Sequence, residues 1–387
     1  MKRRRALIAL LVLIIFLLVL IIIFLNRNNE RDDSNVNDFQ TNKGTVYNQG
    51  QSVLKYQDYI FLIDELANSI IRYDIQDNVS HLVAATQGYK FDDTMYIVNN
   101  KLVYSNNNVT YYSDADKLSR SKFTDGRIVY INDDIYIYIL QEEDLQYLYI
   151  TSYDNTNFRK TNELFYNLAK GYQINYLKES GGLLFFTSIN SDQSITLFTV
   201  DLKNSEVTLI ARETSYASDT SRGEIVEAVR HGNDIYYIVA EYQKMTNGES
   251  LAGYDLMIRP IDAAFSEFVN SDIEPHLFVV DDELYLGKYD SETSKYSWKT
   301  TFSEVPLDNW IDKIHGDISK YFKFKNSKLY FNEEELITLN NVYLDYTIAK
   351  VVYCDDAVYV LLEKDSSYVW ISCKMDGSEF TNIYEVR

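Results

Sequence analysis

The sequence is poor in the residues that most often carry metal, redox or nucleophilic chemistry. Its 387 residues include only 2 cysteines, Cys354 and Cys373, and 4 histidines. The histidines are scattered along the chain: His81, His231, His276 and His315. No histidine or cysteine pair has the spacing of a zinc or metalloprotease motif. We therefore expect no bound metal and no cofactor.

Motifs for acyl transfer and nucleotide binding are also absent. The chain contains no G-x-S-x-G elbow, no G-x-x-x-x-G-K-[ST] loop and no G-x-G-x-x-G turn. The usual sequence support for a hydrolase nucleophile or a phosphate cradle is therefore missing. We predict no catalytic, metal or cofactor-binding residue, and the sequence alone does not identify the ligand-binding residues.

Proline is rare, at 3 residues, whereas tyrosine is abundant, at 34 against 19 phenylalanines and 3 tryptophans. Aromatic residues with a polar tip suit strands that are half buried and half in water, so the composition indicates a β-rich protein. An alternative role for some tyrosines is a stacking surface for a glycan or peptide.

A disulfide between Cys354 and Cys373 is not expected. If residues 351–354, 358–362 and 368–373 are consecutive antiparallel strands, the two cysteines lie on the first and the third. Two strand spacings amount to about 9.5 Å, which exceeds the usual Cα separation of a disulfide.

Long apolar runs are confined to the start of the chain. Residues 1–5 are basic, 6–25 are continuously apolar, and 26–44 are polar and rich in asparagine. Twenty apolar residues span roughly 30 Å as a helix, the thickness of a bilayer core. This pattern predicts a transmembrane signal anchor at 6–25, with a cytoplasmic N-terminus, a polar tether at 26–44 and an extracytoplasmic domain at 45–387. A cleaved signal peptide is the competing interpretation, but it requires a shorter apolar region followed by small residues.

Positive charge is scarce beyond the predicted anchor. After Arg27 the chain has 32 basic and 57 acidic residues, a net charge of −25. Such a surface repels nucleic acid and anionic lipid headgroups. It favours solubility, and it would also attract cations or basic ligands.

One short phrase recurs through the rest of the sequence. A turn of Asp, Asn, Gly or Ser is followed by an aliphatic and an aromatic residue, as in YCDDAVYV from Tyr353. The aromatic positions are Phe61, Tyr96, Tyr136, Phe185, Tyr236, Tyr285, Tyr330 and Tyr359, at intervals of 29 to 51 residues. Repeats of 40–50 residues are typical of propeller blades. We predict an all-β fold, a β-propeller of seven or eight four-stranded antiparallel blades.

A second phrase supports two hairpins per module. Alternating strands that end in an Asp-marked turn begin at Ile70, Leu148, Leu197, Leu256 and Val369. Helical turns between strands are predicted only near Thr161 and Leu307. Four antiparallel strands per module expose both faces and need stacked neighbours, which a closed ring supplies.

Paired aspartates recur at the turn of the first phrase. The pairs are Asp92 with Asp93, Asp133 with Asp134, Asp281 with Asp282, and Asp355 with Asp356. Because they occupy the same point of each repeat, we interpret them as hairpin turns, with calcium binding as the alternative.

Two segments resemble a known family. Residues 233–237 open a strand as Asn-Asp-Ile-Tyr-Tyr, and residues 370–375 lead into Asp376, Gly377 and Ser378. They resemble bacterial membrane-anchored β-propeller domains of unknown function, which are similar to the β-propeller of low-density-lipoprotein-receptor-related proteins. The resemblance covers roughly residue 45 to the end and implies a propeller with a binding or scaffolding role.

The function predicted from the sequence is a membrane-anchored extracytoplasmic binding or scaffolding module. Its partner would be a protein, a peptide or a cell-wall polymer. The alternative is a cell-envelope glycan hydrolase or lyase, with carboxylates gathered from several blades at the propeller centre. An enzyme should bring such carboxylates together from non-equivalent blade positions, whereas a binding module should present its contact residues on one rim.

Overall fold

A computed structural model describes residues 46–386, except 87–88, 117–119, 214–220, 272, 301–306 and 315. The chain divides into two units, Met1–Val46 and Tyr47–Arg387, and the second contains the fold described here. The predicted anchor at 6–25, the tether at 26–44 and His315 lie outside the described residues. Within the described residues, no helix has the length and apolar character to cross a membrane.

The described residues form eight antiparallel sheets, numbered here as blades 1 to 8 in chain order. β1 is Val46–Gln51. Blade 1 comprises β2 Val53–Tyr56, β3 Tyr59–Asp64, β4 Ser69–Asp74 and β5 Val79–Ala85. Blade 2 comprises β6 Phe91–Val98, β7 Lys101–Asn106, β8 Val109–Asp114 and β9 Arg120–Asp125, and β1 pairs with the free edge of β6. Blade 3 comprises β10 Arg127–Ile131, β11 Ile135–Glu142, β12 Leu145–Asp154 and β13 Arg159–Gly171. Blade 4 comprises β14 Gln173–Ser180, β15 Leu183–Ile189, β16 Ile195–Asp201 and β17 Val207–Glu213.

The second half of the chain continues the pattern. Blade 5 comprises β18 Ser221–His231, β19 Asp234–Met245, β20 Gly248–Pro260 and β21 Glu267–Asn270. Blade 6 has three strands, β22 Leu277–Val280, β23 Glu283–Asp290 and β24 Lys295–Thr300. Blade 7 also has three, β25 Phe322–Lys325, β26 Lys328–Phe331 and β27 Glu334–Thr338. Blade 8 comprises β28 Thr347–Cys354, β29 Ala357–Lys364, β30 Ser367–Lys374 and β31 Thr381–Val386. In the described part of the chain, 3₁₀ helices lie at Trp310–Lys313, Ser319–Tyr321 and Asn341–Tyr343.

The blades close into a ring. First strands of neighbouring blades contact one another, including β2 with β6 and β2 with β28, and β31 contacts β5. One apolar cluster joins Val53 and Leu62 of blade 1 to Tyr359 and Trp370 of blade 8. Similar clusters join blades 1 and 2, 3 and 4, 4 and 5, and 5 and 6, and another extends across blades 6 to 8, so the core is a series of apolar layers between sheets. Sheets that are stacked this way and joined end to end form a β-propeller, which confirms the predicted fold.

Hairpin turns follow from asparagine and aspartate at positions of positive φ. Asp281 and Asp282 have φ of 50° and 62°, and Asp355 and Asp356 have φ of 50° and 64°. These residues tolerate the left-handed region that a two-residue turn requires. First turns of adjacent blades also contact each other, as His231 Nε2 lies 2.8 Å from the Asp282 carbonyl oxygen. The turns between first and second strands therefore share one face, here the first-turn face.

Several sequence predictions differ from the structure. Seven of the eight repeat aromatics lie on second strands, but Tyr96 lies on the first strand β6. The real turn of blade 2 is Asn99–Asn100, with φ of 47° and 61°. Asp92 and Asp93 are consequently not a hairpin turn, and they lie in an irregularity of β6 between Phe91 and Met95. The turn prediction is wrong for this pair and correct for the other three.

The predicted helix near Thr161 is wrong, since residues 159–171 form the long strand β13 that pairs with β12. The segment after Leu307 does contain helical turns, as two of the 3₁₀ helices. Blades 6 and 7 have three described strands instead of four. Cys354 and Cys373 are free thiols, and they lie on β28 and β30 with β29 between them, as the strand prediction requires.

Candidate functional site

First strands of neighbouring blades contact one another around the centre of the ring, while several last strands are largely exposed. The exposed strands include β5, β9, β21 and β27. Five of the inner strands carry a bulge or irregularity, namely β6, β10, β14, β18 and β28. Bulges re-aim side chains, and here charged residues occupy or follow them: Asp92, Asp93, Lys178, Glu227 and Lys350.

The first charged cluster joins blades 8, 1 and 2. Lys350 of β28 makes an ion pair with Glu65, in the turn between β3 and β4, and its Nζ lies 3.6 Å from Asp93 Oδ1 of β6. Lys350 is largely buried, whereas Asp93 is mostly exposed. The cluster is therefore open to solvent on the Asp93 side.

The two carboxyl groups of this cluster have opposite pKa shifts. Partial burial raises the pKa of Asp93, and the Glu65 carboxylate adds to that effect against the opposing field of Lys350. Burial would also raise the pKa of Glu65, but its hydrogen bond and ion pair with Lys350 outweigh it and lower that pKa. Both carboxyl groups therefore contact the same ammonium group, that of Lys350. The environment thus moves the two pKa values apart.

A second charged cluster joins blades 4, 5 and 6. Lys178 Nζ lies 2.7 Å from Glu227 Oε1 and donates to the Leu277 carbonyl oxygen at 3.1 Å. His276 Nδ1 lies 3.4 Å from Glu227 Oε2. Glu227 is only 8% exposed. Burial would raise its pKa, but Lys178 and His276 outweigh this effect and lower it. The arrangement ties three inner strands together.

Asp92, the chain neighbour of Asp93, makes no ion pair among the described residues. Burial raises its pKa, while the field of Arg127 on β10 opposes that rise. Its Oδ2 is buried without a hydrogen-bond partner among the described residues.

A depression of about 390 Å³ lies between blades 7 and 8. Its apolar walls are Trp310, Ile311, Phe331, Tyr353 and Met375, and its polar lining is Asn309, Asp312, Asp356, Lys374 and Asp376. Asp356 belongs to the first turn of blade 8, and Asp376 to the turn between β30 and β31. The depression therefore reaches the first-turn face.

Another depression, of about 520 Å³, lies beside blades 2 and 3. It is lined by Lys122, Arg159 and Lys160 with a single acidic residue, Asp125. Its charge is thus opposite in sign to that of the depression between blades 7 and 8.

Sequence reasoning identified some of these residues and missed others. It placed Asp355 and Asp356 in a turn, but it assigned no role to Glu65, Lys178, Glu227 or Lys350. Lys350 and Glu65 are 285 positions apart, so no local motif joins them. The available signal was a charged residue inside an apolar inner strand, as in AKVV at Ala349 and VEAV at Val226.

Sequence comparisons assign no family. No protein-family model matches the chain, and no curated protein matches it significantly.

Solved structures with a related outline are distant in sequence. The β-propeller domain of the Trilobed protease from Pyrococcus furiosus is 11% identical with a TM-score of 0.38, and the alignment covers 89% of this chain and 86% of that one. The polysaccharide lyase Uly1 is 10% identical with a TM-score of 0.44, over 85% of this chain and 90% of that one. The tricorn protease is 11% identical with a TM-score of 0.35, and the alignment covers 86% of this chain but only 39% of the protease. At these values nothing about activity follows, and the fold assignment depends on the sheet topology and the closing contacts between blades 1 and 8.

Proposed function

We propose that the protein is a membrane-anchored extracytoplasmic binding module that presents its first-turn face to a partner. One observation carries this proposal. The charged side chains at the inner strands neutralise one another across blades, as Lys350 does with Glu65 and Lys178 does with Glu227. Of the turn aspartates, Asp355 pairs with Lys55, whereas Asp281, Asp282 and Asp356 have no basic residue at ion-pair distance among the described residues. The charges at the centre of the ring are thus paired with one another, whereas charges on the first-turn face are available for contact with a partner.

The charge of the chain indicates the type of partner. A net charge of −25 after Arg27 attracts basic surfaces and repels nucleic acid. The anchor predicted at 6–25 and the tether at 26–44 would hold the propeller close to the extracytoplasmic face of the membrane. The sequence resemblance to membrane-anchored propellers implies the same location. A basic protein or peptide fits this proposal better than an anionic wall polymer.

The experiment is capture of a partner by the full-length protein, held in detergent micelles on a solid support. Solubilised membranes and wall fragments of the source cell are passed over it at low and at high salt. We expect one protein to be retained at low salt and released at high salt, because rim charges are screened over about 8–10 Å. Retention of nothing, or of an anionic polymer alone, would contradict the proposal.

A second candidate function is a lyase acting on a cell-envelope glycan, and the cluster of Glu65, Asp93 and Lys350 favours it. Environments that push the pKa values of two neighbouring carboxyl groups apart are typical of acid and base pairs. The ammonium group of Lys350 contacts both carboxyl groups, so it competes with a glycosidic bond for the position between two acids that glycoside hydrolases use. Proton transfer by a lyase therefore suits them better than hydrolysis.

The test is incubation of purified wall glycan with the protein and with an Asp93→Asn variant. Shortened chains with the wild type, lost in the variant, would support the lyase and remove the binding-only proposal. Unchanged glycan in both samples would remove the lyase.

A further inference from the structure

The depression between blades 7 and 8 combines aromatic walls with acidic residues. The Trp310 and Phe331 rings lie 5.4 Å apart at an angle of 40°, and Tyr353 forms another wall. Aromatic faces attract cations through the ring quadrupole, most strongly for tryptophan. At about 390 Å³, the volume is within the usual range of ligand sites.

Two of the aspartates in the depression have no basic residue at ion-pair distance among the described residues. They are Asp356 and Asp376, whereas Asp312 pairs with Lys313 at 3.2 Å. Lys374, the one basic residue of the lining, directs its ammonium group to Glu379 outside it. Lys374 therefore makes its ion pair outside the depression.

Both aspartates are held in place before any ligand arrives. Asp356 is the second residue of a tight turn, with φ of 64°, and its Oδ1 accepts a hydrogen bond from the Tyr353 hydroxyl at 3.3 Å. Asp376 Oδ1 accepts from Ser378 N at 2.8 Å and from Ser378 Oγ at 2.6 Å. Groups that are already ordered lose less entropy on binding.

A neighbouring tyrosine reports the sign of the local field. Burial, together with the charges of Asp356, Asp312 and Asp355, raises the pKa of Tyr353 to about 12. The same field that opposes a tyrosinate would stabilise a cation in that place.

We propose that this depression binds a basic side chain, lysine or arginine, of the partner protein. The inference rests on the proposed binding function and assigns its contact site. The alkyl stem of the side chain would lie against Trp310 and Phe331, and its charged end would pair with Asp356 and Asp376. The depression beside blades 2 and 3 would not bind it, because Lys122, Arg159 and Lys160 repel a cation.

Tryptophan fluorescence of the full-length protein tests the site directly. Trp298 and Trp370 are fully buried, whereas Trp310 lies at the depression and is 8% exposed. Titration with a pentalysine peptide should change the emission saturably, and pentaglutamate should not. We expect affinity to fall about tenfold or more in Asp356→Asn/Asp376→Asn, because each lost charge-assisted contact weakens binding.

The matched control is Asp281→Asn/Asp282→Asn, which removes the same charge from the equivalent turn of blade 6, outside the depression. Asparagine tolerates the positive φ of Asp281, Asp282 and Asp356, and at position 376 it keeps an oxygen that can accept the bonds from Ser378. Both variants should therefore keep their turns, and thermal unfolding monitors this. Affinity in the control should stay within about twofold of the wild type. Equal weakening in both variants would show a general charge effect and overturn the site, as would an unsaturable response.

Capture of the natural partner separates this inference from the proposed function. If wild type retains a partner and Asp356→Asn/Asp376→Asn does not, the site is supported. If both retain it equally, the site is wrong while the binding function stands. If wild type retains nothing, the binding function itself fails.

Discussion

At the scale of single residues, the centre of the ring shows how burial changes the contribution of an ion pair. The side chains of Lys178 and Glu227 are 19% and 11% exposed. Those of a surface ion pair, Lys295 and Glu334, are 44% and 77% exposed, although the distance between nitrogen and oxygen is 2.7 Å in both pairs. Water screens the attraction between the charges of the exposed pair. If one partner of the buried pair is removed, however, water does not solvate the charge that remains.

Replacement of Lys178 by methionine should therefore destabilise the protein strongly. The change leaves the Glu227 carboxylate buried without its ammonium partner, and we expect a loss of about 3 kcal/mol in the free energy of unfolding. Urea denaturation measures this. Lys295→Met should cause no measurable change, and Lys178→Met/Glu227→Met should recover part of the loss. A Lys178 variant as stable as the Lys295 variant would show that the pair is not a structural tie.

The same pair makes stability depend on pH. The pKa of Glu227 is lowered from 4.5 in the folded protein because Lys178 and His276 outweigh burial. The unfolded chain therefore binds more protons in this range, so the stabilisation is complete above about pH 4.5 and is lost as the pH falls through the folded pKa.

We expect Lys178→Met to lose less stability than the wild type between about pH 5 and pH 3, because burial then becomes the main influence on Glu227. Urea denaturation at several pH values gives the slopes, and Lys178→Arg, which keeps the charge, should retain the wild-type slope. Equal slopes in all three proteins would rule out Glu227 as the source.

At the scale of strands and turns, the sequence correctly predicted hairpin turns that depend only on the local backbone conformation. Asp281–Asp282 and Asp355–Asp356 form the expected turns because their side chains tolerate positive φ. The FDDTMYIV phrase misled because Asp92 and Asp93 have the same composition as a turn yet lie in the irregular start of β6. Only pairing with β7 fixes that position, and pairing is not a local property.

One turn allows a direct test of backbone fit. Gly377 has φ of +78°, and a Cβ placed there would lie 2.0 Å from the Leu336 carbonyl oxygen of blade 7. Gly182 has nearly the same φ, +76°, but nothing lies within 4 Å of its Cβ position. Alanine at either site adds about 1–2 kcal/mol of backbone strain.

We therefore expect Gly377→Ala to be more destabilising than Gly182→Ala by about 2 kcal/mol or more, since a backbone carbonyl cannot rotate away as a side chain can. Thermal and urea unfolding compare the two variants. Equal losses would mean that the contact between blades 7 and 8 relaxes without cost.

At the scale of the whole molecule, repeat spacing predicted a ring of blades but not the site. Repetition follows from composition and period, which a sequence displays. The clusters depend on closure, which brings Lys350 of blade 8 against Glu65 of blade 1, residues that are far apart along the chain. The depression between blades 7 and 8 likewise needs the packing of the 310–313 helix against a neighbouring sheet, which no local pattern specifies.

The contact between blades 1 and 8 closes the ring. It has no shared sheet to hold it, because the described strands of these two blades are far apart in the sequence and belong to separate sheets. Side chains stabilise this contact: Tyr368 donates to the buried Asp64 Oδ2 at 2.6 Å, Lys55 pairs with Asp355 at 2.9 Å, and Ser80 donates to the Ile383 carbonyl oxygen at 2.7 Å.

Phenylalanine at position 368 would leave a buried carboxylate oxygen unpaired, which costs about 2 kcal/mol. If closure is the weakest joint, hydrogen exchange in Tyr368→Phe should rise mainly in strands β2–β5 and β28–β31, before global unfolding. Tyr73→Phe removes a hydroxyl that bonds Asn78 within blade 1, so it should leave blade 8 protected. A uniform rise across all eight blades in Tyr368→Phe would instead show that the ring unfolds as one cooperative unit, with no weak point at its seam.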